Sequence, residues 1–259
     1  MRKRVTPILF ATFLSCSLPC DATVTVGGGS VVNFADAKIA LGCADLIVAG
    51  QVSGTAAMLN AIANLSINTG GDLAPGASQI ALGGNFADAG AFISGSSRVS
   101  LVDACGNGTS TVTGATGFYD FVVTTATGKQ LVLPAGVTQT ITHMLTLQGA
   151  SGNLLNIVSS SSGSRASFAV SATAMQTVDY VNARDNAATG ATIAPGSAAM
   201  YHSIDSGDLD NWFASAAITA AAPTPMLGAS ARTILLLTIL LAAAFGLRRR
   251  GQPCRAGWR

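Results

Sequence analysis

Between Val24 and Phe213 the chain sets short apolar or alternating runs among clusters of Gly, Asn, Asp and Ser. The runs include Leu46-Ile47-Val48, Leu65-Ser66-Ile67, Ile80-Ala81-Leu82, Val99-Ser100-Leu101, Phe121-Val122-Val123, Leu131-Val132-Leu133, Leu145-Thr146-Leu147, Leu155-Asn156-Ile157 and Phe168-Ala169-Val170. Runs this short do not make helices; bounded by turn residues, they predict brief strands. They recur every ~20 to 24 residues, traced from Ile67 through an intermediate stop at Ile80 to Leu101, Val123, Leu145 and Phe168, the spacing at which a solenoid coil returns to the same face. Two stretches, Gly70–Ile80 and Gly128–Thr138, share a glycine, an apolar strand, a Pro-containing turn, a second glycine and a polar step.

The pattern predicts an all-β domain over residues 23–213, a right-handed parallel β-helix with small and apolar side chains inward and Gly or Asn at the corners. A β-sandwich is the alternative, although it calls for cleaner two-residue hairpin signals than this sequence has. Ala35–Ala44 (ADAKIALGCA) reads as a short helix capping the open end of the stack. Thr55–Leu65 is ambiguous between helix and irregular coil.

The two ends differ from this middle. Arg2, Lys3 and Arg4 precede an apolar stretch from Val5 to Leu18, the plan of a signal peptide over residues 1–22, with cleavage after Ala22. The apolar stretch is well short of the ~20 residues of a membrane span. Lipidation at Cys16 is a competing reading, opposed by the poor fit of Phe13-Leu14-Ser15. Residues 214–225 form a small, uncharged, Pro-terminated linker. Residues 226–247 contain an uninterrupted apolar run from Thr233 to Leu247, read as one transmembrane helix, and 248–259 a basic tail opening on Arg248, Arg249 and Arg250. The arginines belong on the cytoplasmic side, which places the middle domain outside.

Composition narrows function. From Thr23 to Ala222 the chain carries five basic residues against eleven aspartates. With no basic patch to neutralise phosphates, nucleic acid is excluded as a partner. After loss of the leader and with Cys254 beyond the apolar run, Cys43 and Cys105 remain as a possible disulfide in an oxidising compartment.

The tail Pro223-Thr224-Pro225-Met226-Leu227-Gly228, an apolar run and Arg248-Arg249-Arg250 resembles the C-terminal sorting domains of the IPTL-CTERM and PEP-CTERM kind in proteobacteria. It departs from them in reading Pro-Met-Leu-Gly for Ile-Pro-Thr-Leu. The resemblance implies the sorting motif Pro223, Thr224, Pro225, Met226 and Leu227, a membrane stop at the arginines, and the inner membrane, the secretion translocon and an envelope sorting protease as partners. The Gly83–Phe92 stretch, Gly95–Val99, Gly114–Phe118, Leu145–Gly149, Val178–Val181 and Asn211-Trp212-Phe213 resemble a β-helical repeat domain of large bacterial surface proteins. That resemblance implies a structural or adhesin-like protein at the cell envelope, with a glycan or matrix ligand and no catalytic residues.

Site chemistry is sparse. His143 and His202 are far apart, neither has a Cys or His at metal-ligand spacing, and both read as surface or turn residues. Asp205, Asp208 and Asp210, with Asn211, form one dense acidic cluster, a weak calcium candidate whose spacing departs from an EF-hand and which reads better as a solvated turn. No nucleophile elbow, Walker loop or dinucleotide fingerprint occurs, so no cofactor is expected. The enzymatic alternative is a β-helical glycoside hydrolase or polysaccharide lyase, for which Asp120 and Asp179 read as isolated carboxylates and the aromatic residues as core.

Overall fold

A computed structural model describes residues 22–213. Strands joined by tight turns wind these residues into a parallel β-solenoid of about nine turns. Every ladder between named strands is parallel, from Thr23–Val26 on Lys38–Val48 at one end to Asn186–Gly190 on Leu209–Asp210 at the other. A sandwich built from antiparallel strands is thereby excluded among the described residues. At ~4.8 Å per layer, the stack extends about 40 Å along its axis.

Each coil has three faces. Face A starts with Thr23–Val26, face B with Val31–Asn33, and face C with the first half of Lys38–Val48. That strand does not stop at the corner: it continues onto face A of the second coil, stacking there on Thr23–Val26. The bend falls at Gly42 and Cys43, both left-handed (φ 62° and 67°), and the pairing with the next coil shifts register at the same place. Met58–Ile67 turns its corner in the same way at Ala61 (φ 50°). Ala35–Ala44 is therefore a turn followed by strand rather than a capping helix, and the part of Thr55–Leu65 from Met58 onward is strand. Stacking on the neighbouring coil overrides the helix preference of these alanine-containing stretches.

The nine apolar runs all lie in strands. Their side chains build columns along the axis. On face C, Leu82, Leu101, Val123, Leu147 and Val178 stack in register, and on face A Leu46, Leu65, Phe86 and Val112 do the same, all buried. The predicted period holds, but the tracing by which it was read crosses faces. Ile67 lies on face A, Leu145 stacks on Phe121 rather than on Val123, and Phe168 stacks on Gln139 on face B. The two similar stretches also occupy different corners: Gly70–Ile80 runs from face B to C and Gly128–Thr138 from A to B. They share a turn geometry, with Gly76 and Gly136 both left-handed (φ 65° and 70°), where glycine avoids the Cβ penalty.

An aromatic chain runs through the interior. Phe92, Phe86, Phe118, Phe121, Phe168, Trp212, Phe213 and Tyr201 follow one another with ring centroids 4.6 to 6.3 Å apart. Polar ladders pin the corners. Asp45 accepts from the Asn64 backbone, Asn64 from that of Asn85, and Asn85 from that of Thr111, one coil at a time. Each bond satisfies a backbone N–H along one corner of the stack.

Candidate functional site

Two clusters that share an aspartate, a histidine and a tyrosine stand at the two edges of face C. At the edge with face B, Asp120 is 6% exposed and holds two partners. His143 Nδ1 lies 2.6 Å from one carboxylate oxygen, and Arg98 Nε and Nη2 each donate to the other at 3.3 Å. The ring of Tyr119 stacks on His143, with centroids 4.4 Å apart and planes 11° from parallel. At the edge with face A, His202 Nδ1 lies 2.9 Å from Asp179, and its ring stacks on Tyr180 at 4.8 Å and 13°.

Backbone irregularity creates both sites. The register between Gly117–Thr124 and Thr138–Gln148 shifts between Phe118 and Asp120, which is where His143 meets Tyr119. Tyr180 and His202 are both left-handed (φ 51° and 47°), so each marks a corner rather than a strand position. In both clusters the histidine sits one coil after its aspartate, 23 residues later. Asp120 and Asp179 are thus not isolated, and Tyr119 and Tyr180 are not core residues: they pack outside, on imidazoles. A carboxylate on Nδ1 fixes the ring and leaves Nε2 directed away from it, an arrangement suited to proton transfer or to hydrogen bonding with a ligand.

The acidic cluster near the C-terminal end behaves otherwise. Arg165 bonds Asp208 at 2.6 Å and approaches Asp210 at 3.5 Å, while Asp205 accepts from the backbone of Gly207 in its own turn. Two of the three carboxylates thus face a guanidinium instead of converging on a cation, and among the described residues no group of three metal-ligating side chains forms.

Cys43 and Cys105 are bonded to each other across 62 residues. Cys105 belongs to the segment 102–108, which is tied to later coils as well. Asp103 accepts from the hydroxyls of Thr125 and Thr127 and from the backbone of Ala126 and Thr127. Burial opposes the charge on Asp103, but these bonds outweigh it and hold its carboxyl below the ordinary value. Lys129, fully buried, donates to the carbonyls of Gly83 and Asn107, both at 2.6 Å. A cleft of about 460 Å³ opens beside this segment, lined by Asp103, Cys105, Asn107 and Thr127.

Burial pushes the Lys129 ammonium below its ordinary pKa, and the Asp103 carboxylate offsets part of that shift. The charged form therefore destabilises the folded state at neutral pH. Between the lowered folded value and the unfolded value of about 10.4, the unfolded chain binds more protons, so stability rises with pH across that alkaline window. Lys129→Met is expected to abolish the rise, as read from urea midpoints collected as a function of pH.

Residues 1–21 of the 1–22 leader, the linker, the sorting motif Pro223–Leu227, the apolar run and Arg248–Arg250 lie outside the described residues. Comparison of the chain with models of known protein families, with curated proteins and with solved structures finds no match in any of the three.

Proposed function

We propose that this chain is an exported bacterial cell-envelope protein, anchored or sorted by its C-terminal helix, whose solenoid has a structural or adhesin-like, non-catalytic role. The observation that carries this reading is the Cys43–Cys105 bond, in a domain preceded by a leader-like segment and followed by an apolar run and three arginines. Disulfides persist in oxidising compartments, and the positive-inside rule places the domain on that side of the membrane. The coil is right-handed, the sense that parallel crossovers adopt almost without exception. Its outer corners carry Asn, Thr and Ser in ladders, a surface suited to contact with a glycan or matrix. The secretion translocon, the inner membrane and an envelope sorting protease acting near Pro223–Leu227 complete the pathway.

One observation favours a second reading, a polysaccharide-degrading enzyme: Asp120 orients His143 through one carboxylate oxygen and accepts from Arg98 at the other. Such a group could remove a proton from a sugar acid next to a neutralising guanidinium. The two readings separate when the purified mature chain is incubated with a panel of neutral and acidic polysaccharides. Retention on a polysaccharide with no new reducing ends or unsaturated products supports adhesion. Turnover that disappears in His143→Ala would replace the adhesin reading with the enzymatic one.

A further inference from the structure

The two ends of the solenoid are finished differently. At the C-terminal end Trp212 and Phe213 are 4% and 7% exposed, and with Ile193 and Ala194 they close the interior, Tyr201 packing against them. At the N-terminal end the core is open. Val24 is in register with Leu46, which is 1% exposed, and so belongs to the inward column, yet Val24 is 41% exposed. Val32 and Ile39 likewise continue the columns of buried Val52 and Leu59 but are only half-buried, as are Phe34 and Leu41. The backbone is open too. Among the described residues, Thr23–Val26 and Val31–Asn33 each pair with one strand only, on the side of the second coil.

We infer that this open end docks onto the same end of a second copy of the chain, forming a head-to-head dimer in which the two first coils close one another. The inference rests on the reading above that the leader is removed after Ala22, since Thr23 is the first residue of the first strand and no residue of the mature chain then precedes it. Phe213, the last described residue, lies at the opposite end, and on that reading the chain after it is committed to the membrane. What fits an open coil is a body with edge strands on three sides around an apolar centre. A second first coil supplies that, whereas the other end of the molecule is closed by Trp212 and Phe213. A two-fold axis along the normal of one face lays that face's edge strand on its own copy antiparallel and sets the other two faces' edges against each other, the self-complementary arrangement of an isologous interface. The side-chain charges of the first coil, Asp36 and Lys38, cancel, leaving the α-ammonium that cleavage creates on Thr23 as the one charge each end brings to the contact. A single coil end is small against the ~800 Å² per partner of a stable complex, so the expected dissociation constant is weak, on the order of 10 μM.

The test is sedimentation velocity on the mature full chain in detergent micelles, over a concentration series spanning that value, with intact-mass measurement of the same sample. The expected result is a monomer–dimer equilibrium in a chain starting at Thr23. Val24→Asp in the opening and Val31→Lys on the exposed rim should each weaken it by about tenfold or more, and Met200→Asp at the other end should leave it unchanged. The pair of variants keeps the test valid if one of them folds poorly, as checked by circular dichroism. A chain starting at Thr23 that stays monomeric, or a dimer indifferent to both variants, overturns the inference and leaves the export reading standing. A monomer that retains its leader overturns both.

Discussion

Replacement of Cys43 and Cys105 by serine is expected to produce one of the two largest losses of stability available in this domain. The bond closes a loop with a sequence separation of 62 residues, and the chain-entropy model assigns a closure of that length about 4 kcal/mol. For a domain of this size, that corresponds to a fall of roughly 8 to 16 °C in melting temperature. The loss should concentrate in the second to fifth coils, because each coil of a solenoid touches only its neighbours and the bond bridges several of them. Segment 102–108 loses its hold on Cys43 but keeps the bonds from Asp103 to Thr125, Ala126 and Thr127. Hydrogen exchange in the double variant should thus show accelerated opening around Ile62 and Ala104 and little change near Trp212. Adding reductant to the native chain should reproduce both effects.

Phe118→Ala is the other large effect. Phe118 is fully buried and lies within 4.6 to 5.9 Å, centroid to centroid, of Phe86, Phe92 and Phe121, so its removal opens a cavity in the middle of the aromatic chain. Buried Phe→Ala changes cost about 3 to 5 kcal/mol. Its neighbour supplies the control. Tyr119 points outward onto His143, and Tyr119→Ala removes a partly exposed stacking contact worth about 1 kcal/mol. Chemical denaturation of the two variants side by side should separate them by several-fold in lost free energy. Equal losses would mean that the register shift at Phe118 and Asp120 does not place the two rings on opposite sides of the wall.

The strands were legible in the sequence for a physical reason. Leu131-Val132-Leu133 or Phe168-Ala169-Val170 alternates at the period of a pleated strand whose inner side is dry, and the interval between such runs is one coil. The corners were less legible. Turn chemistry is ordinarily read from Gly, Asn and Asp, but here several left-handed positions are occupied by other residues: Ala35, Cys43, Ala61, Cys105, Tyr180 and His202. Without a glycine to announce the bend at Ala61, the stretch around it resembles a weak amphipathic helix.

The paired clusters were hidden for a related reason. Asp120 and His143 are strangers on a helical or hairpin reading, and become neighbours only when the coil length is applied. The signal was present: a Tyr-Asp pair is followed 23 residues after its aspartate by His143, and an Asp-Tyr pair, with the same interval, by His202. Reading the polar residues at the period found for the apolar ones would have joined them. The acidic cluster reads in the sequence as a solvated turn with calcium as the weak alternative, and its partner Arg165, a residue two coils earlier, becomes visible only once the coils are stacked.

On the proposed function, an exported solenoid is held at the envelope by its C-terminal segment. The direct measurement is fractionation of cells expressing the full chain or a chain truncated after Thr224, each with an epitope inserted between Ser162 and Gly163, in an exposed turn. The expected result is a full chain in the envelope, accessible to added protease, and a truncated chain released to the periplasm or medium, with Cys43 and Cys105 oxidised in both. Recovery of both forms as soluble cytoplasmic proteins with free thiols would contradict it.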